Sequence, residues 1–393
     1  MSAAQASAGW RERWTTQRDR LLGSPRFRAL ASRFVLTRPL ARRHAAELFD
    51  LVAGFAYSQW LAAGVELQLF ERLARAPMTA AQLARESDLP LLAAERLLDA
   101  AVALRLAQPR GSAADGAPRY GLGSLGAALV GNDAVLALVR HHRALYADLA
   151  DPLALLRRGG GGGELERYWA YARAAAPGGL DDGRTAAYSA VMSASQTLVA
   201  GQVLDAYPIA RHRRLLDLGG GEGVFAAEAL ARAPALVATV FDLPPVADAA
   251  RRRFARLGLA DRAQAVGGDF HRDALPSGAD VVSLVRVVYD HDDGPALRIL
   301  QAARRALPAG GTLLLAEPMA DTPGAERMGA AYFGLYLTAM GSGRSRSAAE
   351  LTALLQRAGF GRVQRRRTAL PLQAGLLVAR AEPLPAPIDV TPD

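Results

Sequence analysis

The sequence predicts two structured parts, an α-helical N-terminal domain with a winged-helix pattern and an α/β Rossmann-like domain with a mostly parallel sheet. Three observations support this prediction. Apolar strands and amphipathic helices alternate from Arg214 almost to the end of the chain. A glycine-rich turn follows the first of those strands at Gly219. Upstream, residues 78–122 have the pattern of two helices and a short wing.

The length and composition are those of a protein with two packed domains. The chain has 393 residues, 51% of them hydrophobic, and a single core rarely extends beyond about 250–300 residues. It contains no cysteine, which excludes disulfides, cysteine-ligated zinc and thiol nucleophiles. We find neither an uninterrupted apolar run of membrane-spanning length nor a signal-peptide core at the N-terminus. We therefore expect a cytoplasmic protein.

The net charge is +9, and all 47 basic residues are arginine. An arginine-only, alanine-rich composition is typical of biased amino-acid usage, so the charge alone is weak evidence for binding to nucleic acid or membrane. Residues 10–43 are an exception because aromatic and cationic side chains alternate there. Such a segment can lie on an anionic membrane or pack as an arm on a partner subunit, and both alternatives stay open. Its members include Trp10, Arg11, Trp14, Arg18, Arg20, Phe27, Arg28, Phe34, Arg38, Arg42 and Arg43.

The region after this arm is predicted to be helical. Apolar residues recur at helical spacing between residues 45 and 73, which predicts buried helices. Thr79 then caps a helix, residues 87–90 form a turn, and a second helix precedes a wing strand at Arg119–Leu122. A winged helix can bind DNA through its second helix, but here that helix has mixed charges and no Asn or Gln to read base edges. We therefore predict a structural module and no nucleic-acid partner.

These patterns divide the chain into an arm (1–44), a helical winged-helix domain (45–210), an α/β domain (211–382) and a tail (383–393). Five consecutive glycines at 159–163 predict a surface loop within the helical domain. The predicted strands of the α/β domain are 214–218, 237–242, 264–267, 281–288, 311–317 and two more near residues 363 and 375–380. The helices between them are expected to cover both faces of the sheet.

Residues Leu215–Gly223 form an apolar strand that enters a glycine-rich turn and opens a helix. Glycine is needed where the backbone turns tightly and approaches a ligand closely. Asp217 adds a carboxylate just before the glycines. Asp242 ends the next strand, where a carboxylate can accept hydrogen bonds from both ribose hydroxyls. The alternative for Asp242 is an N-cap of the following helix.

Two further strand ends carry polar residues. The third strand ends in Gly268-Asp269-Phe270, which places a short acceptor and an aromatic face where an adenine would lie. The fourth changes from apolar to polar at Tyr289–Asp293. Ligands bind at the carboxyl ends of strands in open α/β sheets, so these residues predict a nucleoside-binding crevice.

Five motifs, DLGGGEG, FDLP, GGDF, RVVYDHDD and LLLAEPM, occur in this order and resemble those of the plant-type O-methyltransferase family, which includes caffeate and hydroxyindole O-methyltransferases. The resemblance covers residues 45–380. It implies a seven-stranded methyltransferase sheet that uses S-adenosylmethionine and releases S-adenosylhomocysteine, together with a winged-helix dimerisation domain and a homodimer. The cofactor-binding residues that it implies are Gly219 and Gly221 at the methionine portion, Asp242 at the ribose, Gly268, Asp269 and Phe270 at the adenine, and Arg286.

A closer resemblance lies outside those motifs. Residues 24–27, 36–59, 145–157 and 332–351 resemble the hydroxyneurosporene (demethylspheroidene) O-methyltransferases of purple phototrophic bacteria. That group methylates the tertiary 1-hydroxyl of an acyclic carotenoid in spheroidene synthesis, which implies a lipophilic acceptor and agrees with a membrane-seeking arm. The side chains suggested to line the acceptor pocket, each of which could also belong to the core, are Tyr188, Met192, Phe333, Tyr336 and Met340.

In this family a histidine deprotonates the acceptor, and Tyr289 stands at the matching position. Glu317 matches one of two acidic residues that flank the histidine, whereas Ser345 stands where the second should be. Three alternatives remain: Tyr289 is the base if neighbours lower its pKa, His291 turns into the site, or the proton leaves late to Asp290 or water. We favour Tyr289 supported by Asp290 or Glu317.

No spacing typical of metal ligands stands out, so we predict a metal-independent reaction. Two other functions stay open at this point. One is a family member that binds S-adenosylmethionine but performs non-methylating chemistry on a small hydrophobic substrate. The other is a winged-helix regulator that senses S-adenosylmethionine, against which the complete set of cofactor motifs argues.

Overall fold

The computed structural model describes residues 3–168, 196–369 and 374–383. The chain divides into two units, Met1–Val130 and Gly131–Asp393, and each is described by itself. The domain boundary between residues 210 and 211 that we drew from the sequence stays a prediction.

The first unit is mostly helical and contains a small antiparallel sheet of order β1-β3-β2. Its helices are α1 (Ala3–Gly23), α2 (Pro25–Arg33), α3 (Arg38–Glu66), α4 (Leu69–Arg75), α5 (Ala80–Glu86), α6 (Leu91–Ala103) and α7 (Ser124–Ala127). Its strands are β1 (Met78–Thr79), β2 (Ala107–Ser112) and β3 (Pro118–Leu122). Thr79 and Gln82 form a capping box at the start of α5. The helices α5 and α6 followed by the β2–β3 hairpin confirm the winged-helix pattern.

The long helix α3 exposes most of its apolar side chains. The prediction of buried helices is correct for α4, where Leu69 and Phe70 are buried, but wrong for α3 within the single chain. The exposed residues of α3 include Leu48, Phe49, Leu51, Val52 and Phe55. By length and mean hydropathy α3 also meets the criteria for a helix that could cross a membrane, although a single such helix is weak evidence. A contiguous apolar face of this kind marks an interaction surface.

The second unit is built on a seven-stranded sheet of order β6-β5-β4-β7-β8-β10-β9. The strands are β4 (Arg214–Leu218), β5 (Val237–Asp242), β6 (Ala263–Gly267), β7 (Val281–Val285), β8 (Thr312–Glu317), β9 (Phe360–Arg366) and β10 (Gly375–Ala381). All pairs are parallel except those of β10, which runs antiparallel to β8 and β9. This arrangement confirms the predicted α/β Rossmann-like fold.

Helices pack on the sheet through two separate apolar clusters. The helices of this unit are α8 (Asp133–Asp148), α9 (Pro152–Arg157), α10 (Glu164–Tyr168), a helix at 196–206, α11 (Val224–Arg232), α12 (Pro244–Arg256), α13 (Asp293–Ala306), α14 (Phe333–Met340) and α15 (Ala348–Arg357). A π-helical turn at Arg327–Tyr332 leads into α14. The strand order reverses between β4 and β7, and ligands bind at such a reversal, beyond the carboxyl ends of the strands.

Candidate active site

The turn after β4 leaves open space for a ligand. Gly219, Gly221 and Gly223 have φ values of 63°, 59° and 77°, a left-handed conformation that costs other residues about 1–2 kcal/mol. A Cβ on Gly221 would meet no heavy atom within 4 Å. The helix α11 begins at Val224, directly after the turn. The open turn therefore lies at a helix N-terminus, as the glycine motif predicted.

Asp217 is a buried carboxylate next to this turn. Its Oδ1 accepts a hydrogen bond from Ser283 Oγ at 2.6 Å, and its Oδ2 has no hydrogen-bond partner among the described residues. A Cβ on Gly220 would lie 2.5 Å from that Oδ2. Burial, aided by the charge of Asp242 and opposed by Ser283, raises the pKa of Asp217 to about 7. A buried polar atom without a partner at an open turn indicates a place that a ligand satisfies.

Asp242 lies at the carboxyl end of β5, beside the same turn. Its Oδ2 accepts a hydrogen bond from Gly221 N at 2.8 Å, and its Oδ1 accepts one from Leu243 N at 2.7 Å. Burial raises the pKa of Asp242 to about 6, although the two hydrogen bonds lower it. Each carboxylate oxygen has a second lone pair, so both can also accept from ribose hydroxyls. The N-cap of α12 is Leu243, so the alternative that Asp242 caps this helix is wrong.

The end of β6 adds an aromatic surface. Gly268 N donates to Asp242 O at 2.9 Å, which joins this strand end to that of β5. The ring of Phe270 contacts His271 and His291, with centroids 4.8 and 5.8 Å apart. Asp269 Oδ1 accepts from His271 N at 2.8 Å and so fixes the turn. His291 thus lies with the residues predicted to surround an adenine, and the structure does not group it with Tyr289.

The segment after β7 forms a tight turn that Glu317 holds in place. The predicted strand 281–288 ends at Val285, because Arg286 has a left-handed φ of 59° and a 3₁₀ turn follows at Val288–Asp290. Glu317 Oε1 accepts hydrogen bonds from the amides of Val287 and Val288 at 3.1 and 2.7 Å. Burial raises the pKa of Glu317 to about 8, although the hydrogen bonds from those amides lower it. Glu317 therefore positions the turn on which Tyr289 and Asp290 stand.

Tyr289 points into an apolar environment. It is 4% exposed, and its ring stands edge-on to Phe333 with centroids 5.9 Å apart. Burial and the charge of Asp290 raise its pKa, while Arg286, which hydrogen-bonds to it, lowers the pKa by a smaller amount. The expectation that neighbours lower the pKa of Tyr289 is therefore wrong, because desolvation of a phenolate outweighs one guanidinium. The raised pKa keeps the Tyr289 side chain a neutral hydroxyl at neutral pH.

Asp290 is the acidic group beside that hydroxyl. It is 9% exposed, and its Oδ1 has no hydrogen-bond partner among the described residues. Burial raises its pKa to about 7, opposed by Arg286 and by a hydrogen bond with Tyr289. A carboxyl group that titrates near neutrality and has a free lone pair can accept a proton. The structure thus brings together Tyr289, Asp290 and Glu317 of the predicted catalytic set.

Comparison with known proteins assigns this arrangement to a family. The O-methyltransferase domain matches residues 148–361, and the O-methyltransferase dimerisation domain matches residues 49–132. The chain belongs to the O-methyltransferase family. It is an S-adenosylmethionine-dependent O-methyltransferase with an N-terminal dimerisation domain, and this assignment is favoured over the non-methylating and regulatory alternatives.

Similar proteins cover nearly the whole chain. Demethylspheroidene O-methyltransferase of Cereibacter sphaeroides is 42% identical over 88% of this chain and 89% of its own length. The protein of that name from Rhodobacter capsulatus is 37% identical over 92% of this chain and 88% of its own length. The crystal structure of human N-acetylserotonin methyltransferase in complex with SAM has a TM-score of 0.72 and 25% identity, and covers 86% of this chain and 98% of that one.

The crevice of this O-methyltransferase fits S-adenosylmethionine. The glycine turn is open at Gly221, Asp217 Oδ2 lacks a partner among the described residues, and Asp242 retains free lone pairs beside them. The aromatic face of Phe270 lies one strand further along the sheet edge. No three His, Asp or Glu side chains cluster as metal ligands would in the described ranges, and a metal-independent reaction stays a prediction.

Three of the predicted acceptor-pocket residues pack in one apolar cluster with Tyr289. Phe333, Tyr336 and Met340 all lie on α14, within the apolar cluster that also contains Tyr289. Tyr336 and Met340 are buried, and Phe333 is partly buried. The structure therefore places these three beside the 3₁₀ turn Val288–Asp290. The other two predicted pocket residues, Tyr188 and Met192, lie outside the described residues.

Several residues that contact this region were not predicted from the sequence. His141 and His142 on α8 hydrogen-bond the hydroxyls of Tyr336 and Tyr332, each at 2.7 Å. Arg346, 1% exposed, binds the carbonyls of residues 288 and 291 at 3.1 and 2.8 Å and holds the catalytic turn from the other side. The adjacent histidines in an amphipathic helix were the available signal. Their partners, however, lie some 190 residues away in sequence.

Proposed function

We propose that this enzyme methylates the tertiary 1-hydroxyl of an acyclic hydroxycarotenoid in spheroidene-type carotenoid biosynthesis. The supporting observation is its 42% and 37% identity, over most of both lengths, to two demethylspheroidene O-methyltransferases. The apolar wall around Tyr289, built from Leu145, Leu155 and Leu165 as well as α14, agrees with a hydrocarbon acceptor.

Bound S-adenosylmethionine supplies a methyl carbon on a sulfonium, which an oxygen nucleophile displaces in line. We assign its methionine portion to Gly219 and Gly221, its ribose to Asp242, and its adenine to Gly268, Asp269 and Phe270, with a further contact from Arg286. Because the ring of His291 contacts that of Phe270, we assign His291 to the adenine end of this set. His291 then contacts the cofactor side and not the acceptor hydroxyl.

In this proposal the acceptor's proton is relayed by Tyr289 and accepted by Asp290. The Tyr289 hydroxyl donates to Asp290, so its oxygen can accept the hydrogen of the acceptor hydroxyl. As the new O–CH₃ bond forms, that proton becomes strongly acidic and passes through Tyr289 to the Asp290 carboxylate. A carboxylate with a pKa of about 7 is sufficient for such a late transfer. Glu317 contributes by holding the turn.

The test uses purified protein, methyl-labelled S-adenosylmethionine and hydroxylated acyclic carotenoids in detergent, with Tyr289→Phe as the matched variant. We expect label in the carotenoid with wild type and at least about a tenfold loss with the variant. An isosteric ring preserves the packing against Phe333. Cofactor binding without label in any hydroxycarotenoid would overturn the proposal. A rate unchanged by EDTA would support a metal-independent reaction, and a loss restored by a divalent cation would contradict it.

We further propose that the protein is cytoplasmic and contacts a membrane peripherally through residues 10–43. This segment contains ten arginines and only two acidic residues, a charge of +8, so it holds nearly all of the chain's excess of +9. Trp10, Trp14 and Phe34 are 66%, 60% and 55% exposed within it. The dimerisation domain match begins at residue 49, after the segment. Exposed aromatic rings between arginines suit an anionic lipid surface, at about 1 kcal/mol per arginine.

Vesicle sedimentation tests this contact. We expect binding to phosphatidylglycerol vesicles that weakens with salt, and little binding to phosphatidylcholine. The triple change Arg26→Glu, Arg28→Glu and Arg33→Glu on α2 should abolish it. A matched triple reversal at Arg85, Arg96 and Arg140, all exposed elsewhere, should not. Loss of the dimer in the first triple variant, with no vesicle binding by wild type, would mean instead that the arm packs on the partner subunit.

A further inference from the structure

Two histidine–tyrosine hydrogen bonds join α8 to the segment that carries the acceptor wall. His141 Nε2 and Tyr336 Oη are 2.7 Å apart, and so are His142 Nε2 and Tyr332 Oη. The two pairs have the same chemistry, come from consecutive residues on one helix, and reach the same stretch of chain. The two pairs differ in the solvent exposure of their side chains.

The His141–Tyr336 pair is enclosed, whereas the His142–Tyr332 pair is not. His141 and Tyr336 are 8% and 5% exposed. His142 and Tyr332 are only partly buried. An enclosed hydrogen bond between helices is explained by stability alone. A polar pair that stays accessible on an otherwise apolar wall can also bind a ligand.

Tyr332 lies beside the residues already assigned to the reaction. Its ring is 5.0 Å from that of Phe333, which in turn contacts Tyr289 at 5.9 Å. The Arg286 guanidinium lowers the pKa of Tyr289 and also that of Tyr332, although burial raises both. The charge of one guanidinium therefore influences both tyrosines, which come from different segments of the chain.

The backbone at Tyr332 is π-helical, which is unusual for a residue with only a packing role. Tyr332 is the last residue of the π-helical turn Arg327–Tyr332. π-Helical turns are rare in proteins, and those that occur often lie at functional sites. Ser345, whose hydroxyl donates to Gly329 O, helps to hold this turn. A Cβ on Gly329 would lie 2.5 Å from Met319 O, so the turn is also tightly packed.

We propose that Tyr332, positioned by His142, is a second hydroxyl-binding residue that holds the acceptor oxygen from the side opposite Tyr289. With its Nε2 protonated, a neutral His142 donates to the Tyr332 oxygen, and the Tyr332 hydroxyl donates to the acceptor oxygen. The acceptor's own hydrogen points to Tyr289, so its remaining lone pair faces the methyl group. Burial lowers the pKa of His142, which keeps it neutral. This inference rests on the proposed hydroxylated acceptor.

The test compares binding of a hydroxylated acyclic carotenoid with that of the same hydrocarbon without the hydroxyl, measured with S-adenosylhomocysteine present and no turnover. For wild type we expect the hydroxylated compound to bind more tightly. Tyr332→Phe should reduce this preference about five- to tenfold, because it removes one hydrogen bond to the acceptor. The affinity for the plain hydrocarbon should stay unchanged. In the methylation assay the variant should raise KM more than it lowers kcat.

Matched variants separate recognition from structure. Tyr207→Phe removes a matched hydroxyl, which pairs with His212 at 2.7 Å and is enclosed outside the acceptor wall, and it should lower the Tm without changing the preference. His142→Leu should reduce the preference as Tyr332→Phe does, and His142→Gln, whose amide can still pair with Tyr332, should restore part of it. An undiminished preference in Tyr332→Phe, or an equal loss for both compounds, would overturn the inference while wild-type methylation still supports the proposed function. Absence of binding and methylation with wild type would overturn both.

Discussion

At the scale of single residues, the proposed catalytic pair is a buried tyrosine hydroxyl, Tyr289, and a neighbouring carboxyl group, Asp290. Tyr289 is too deeply buried to ionise, since burial raises its pKa more than Arg286 lowers it. Asp290 is better suited to accept a proton, because its pKa lies at about 7 and its Oδ1 has no partner among the described residues. The proposed acceptor, a tertiary alcohol, would lose its proton late, so a group of this basicity is sufficient.

Asp290→Asn should lower kcat by about a hundredfold, within the range of general base catalysis, with little change in cofactor affinity. In wild type, kcat should fall as the pH drops below about 7, because the raised pKa of Asp290 means that its carboxylate becomes protonated there. The variant should lack this acidic limb. Methyl-transfer rates measured between about pH 5.5 and 9 check both expectations.

The exposed Asp205, which lies outside the site, provides the control. Asp205→Asn should keep both the rate and the acidic limb of wild type. If the Asp290 variant retained the limb, the proton would have to go elsewhere. Glu317 would then be the next candidate, because its Oε2 also lacks a partner among the described residues.

At the scale of elements, the cofactor turn depends on glycine for two separable reasons. Gly221 has a left-handed φ, and the space beside its Cα is open. Gly221→Ala should therefore lower the free energy of unfolding by only about 1–2 kcal/mol, the cost of that conformation. It should weaken binding of S-adenosylhomocysteine about tenfold or more, because the new methyl group occupies the ligand's space. Calorimetric titration and urea unfolding measure the two effects.

Gly258 provides the matched control. It has a φ of 64° and also no heavy atom within 4 Å of an added Cβ, but it lies at the far end of α12. Gly258→Ala should cost the same stability and leave cofactor affinity unchanged. Equal loss of affinity in both variants would mean that stability, and not the ligand's space, explains the effect.

At the scale of the whole molecule, the apolar face of α3 indicates how the chain associates. Phe49, Val52 and Phe55 are 62%, 65% and 73% exposed, and they fall within the matched dimerisation domain. Phe55→Asp should convert the dimer to monomers, because an unpaired carboxylate cannot be buried without a large cost. Leu257→Asp, at a residue 54% exposed in the second unit, should not. Analytical ultracentrifugation distinguishes these outcomes, and a dimeric Phe55 variant would place the interface elsewhere.

The buried carboxyl groups predict how stability varies with pH. Asp217 and Asp290 have pKa values of about 7 and Glu317 of about 8, all above the values of an unfolded chain. The folded, cofactor-free protein therefore holds protons that the unfolded chain has released, and stability falls as the pH rises. The histidines with lowered pKa, such as His141 and His291, act in the opposite direction, and their effect fades out by about pH 7.5.

We therefore expect the urea midpoint to decrease between about pH 7 and 8.5, where the carboxyl groups outweigh the histidines. Asp217→Asn should make this decrease smaller, because it removes one of the proton-binding groups. A midpoint that stays constant or rises over this range in wild type would contradict the raised pKa values.

The sequence by itself determined the order and bounds of most elements and the positions of the cofactor motifs. The predicted strands at 214–218 and 237–242 coincide with β4 and β5, and the helix predicted to follow the glycine-rich turn is α11. Periodicity and glycine are local properties, so a linear sequence is enough to read them. Polar residues at successive strand ends also meet at one sheet edge because the strands are parallel.

Only the tertiary structure decided which side chains can react. Tyr289 stood at the base position in the sequence, but its burial, and thus its pKa, depends on helices from distant parts of the chain. The pairing of His142 with Tyr332, the orientation of His291 and the exposure of α3 likewise depend on contacts that no local pattern encodes. Desolvation and hydrogen bonding act between residues that are close in space, and folding brings these residues together from far apart in the sequence.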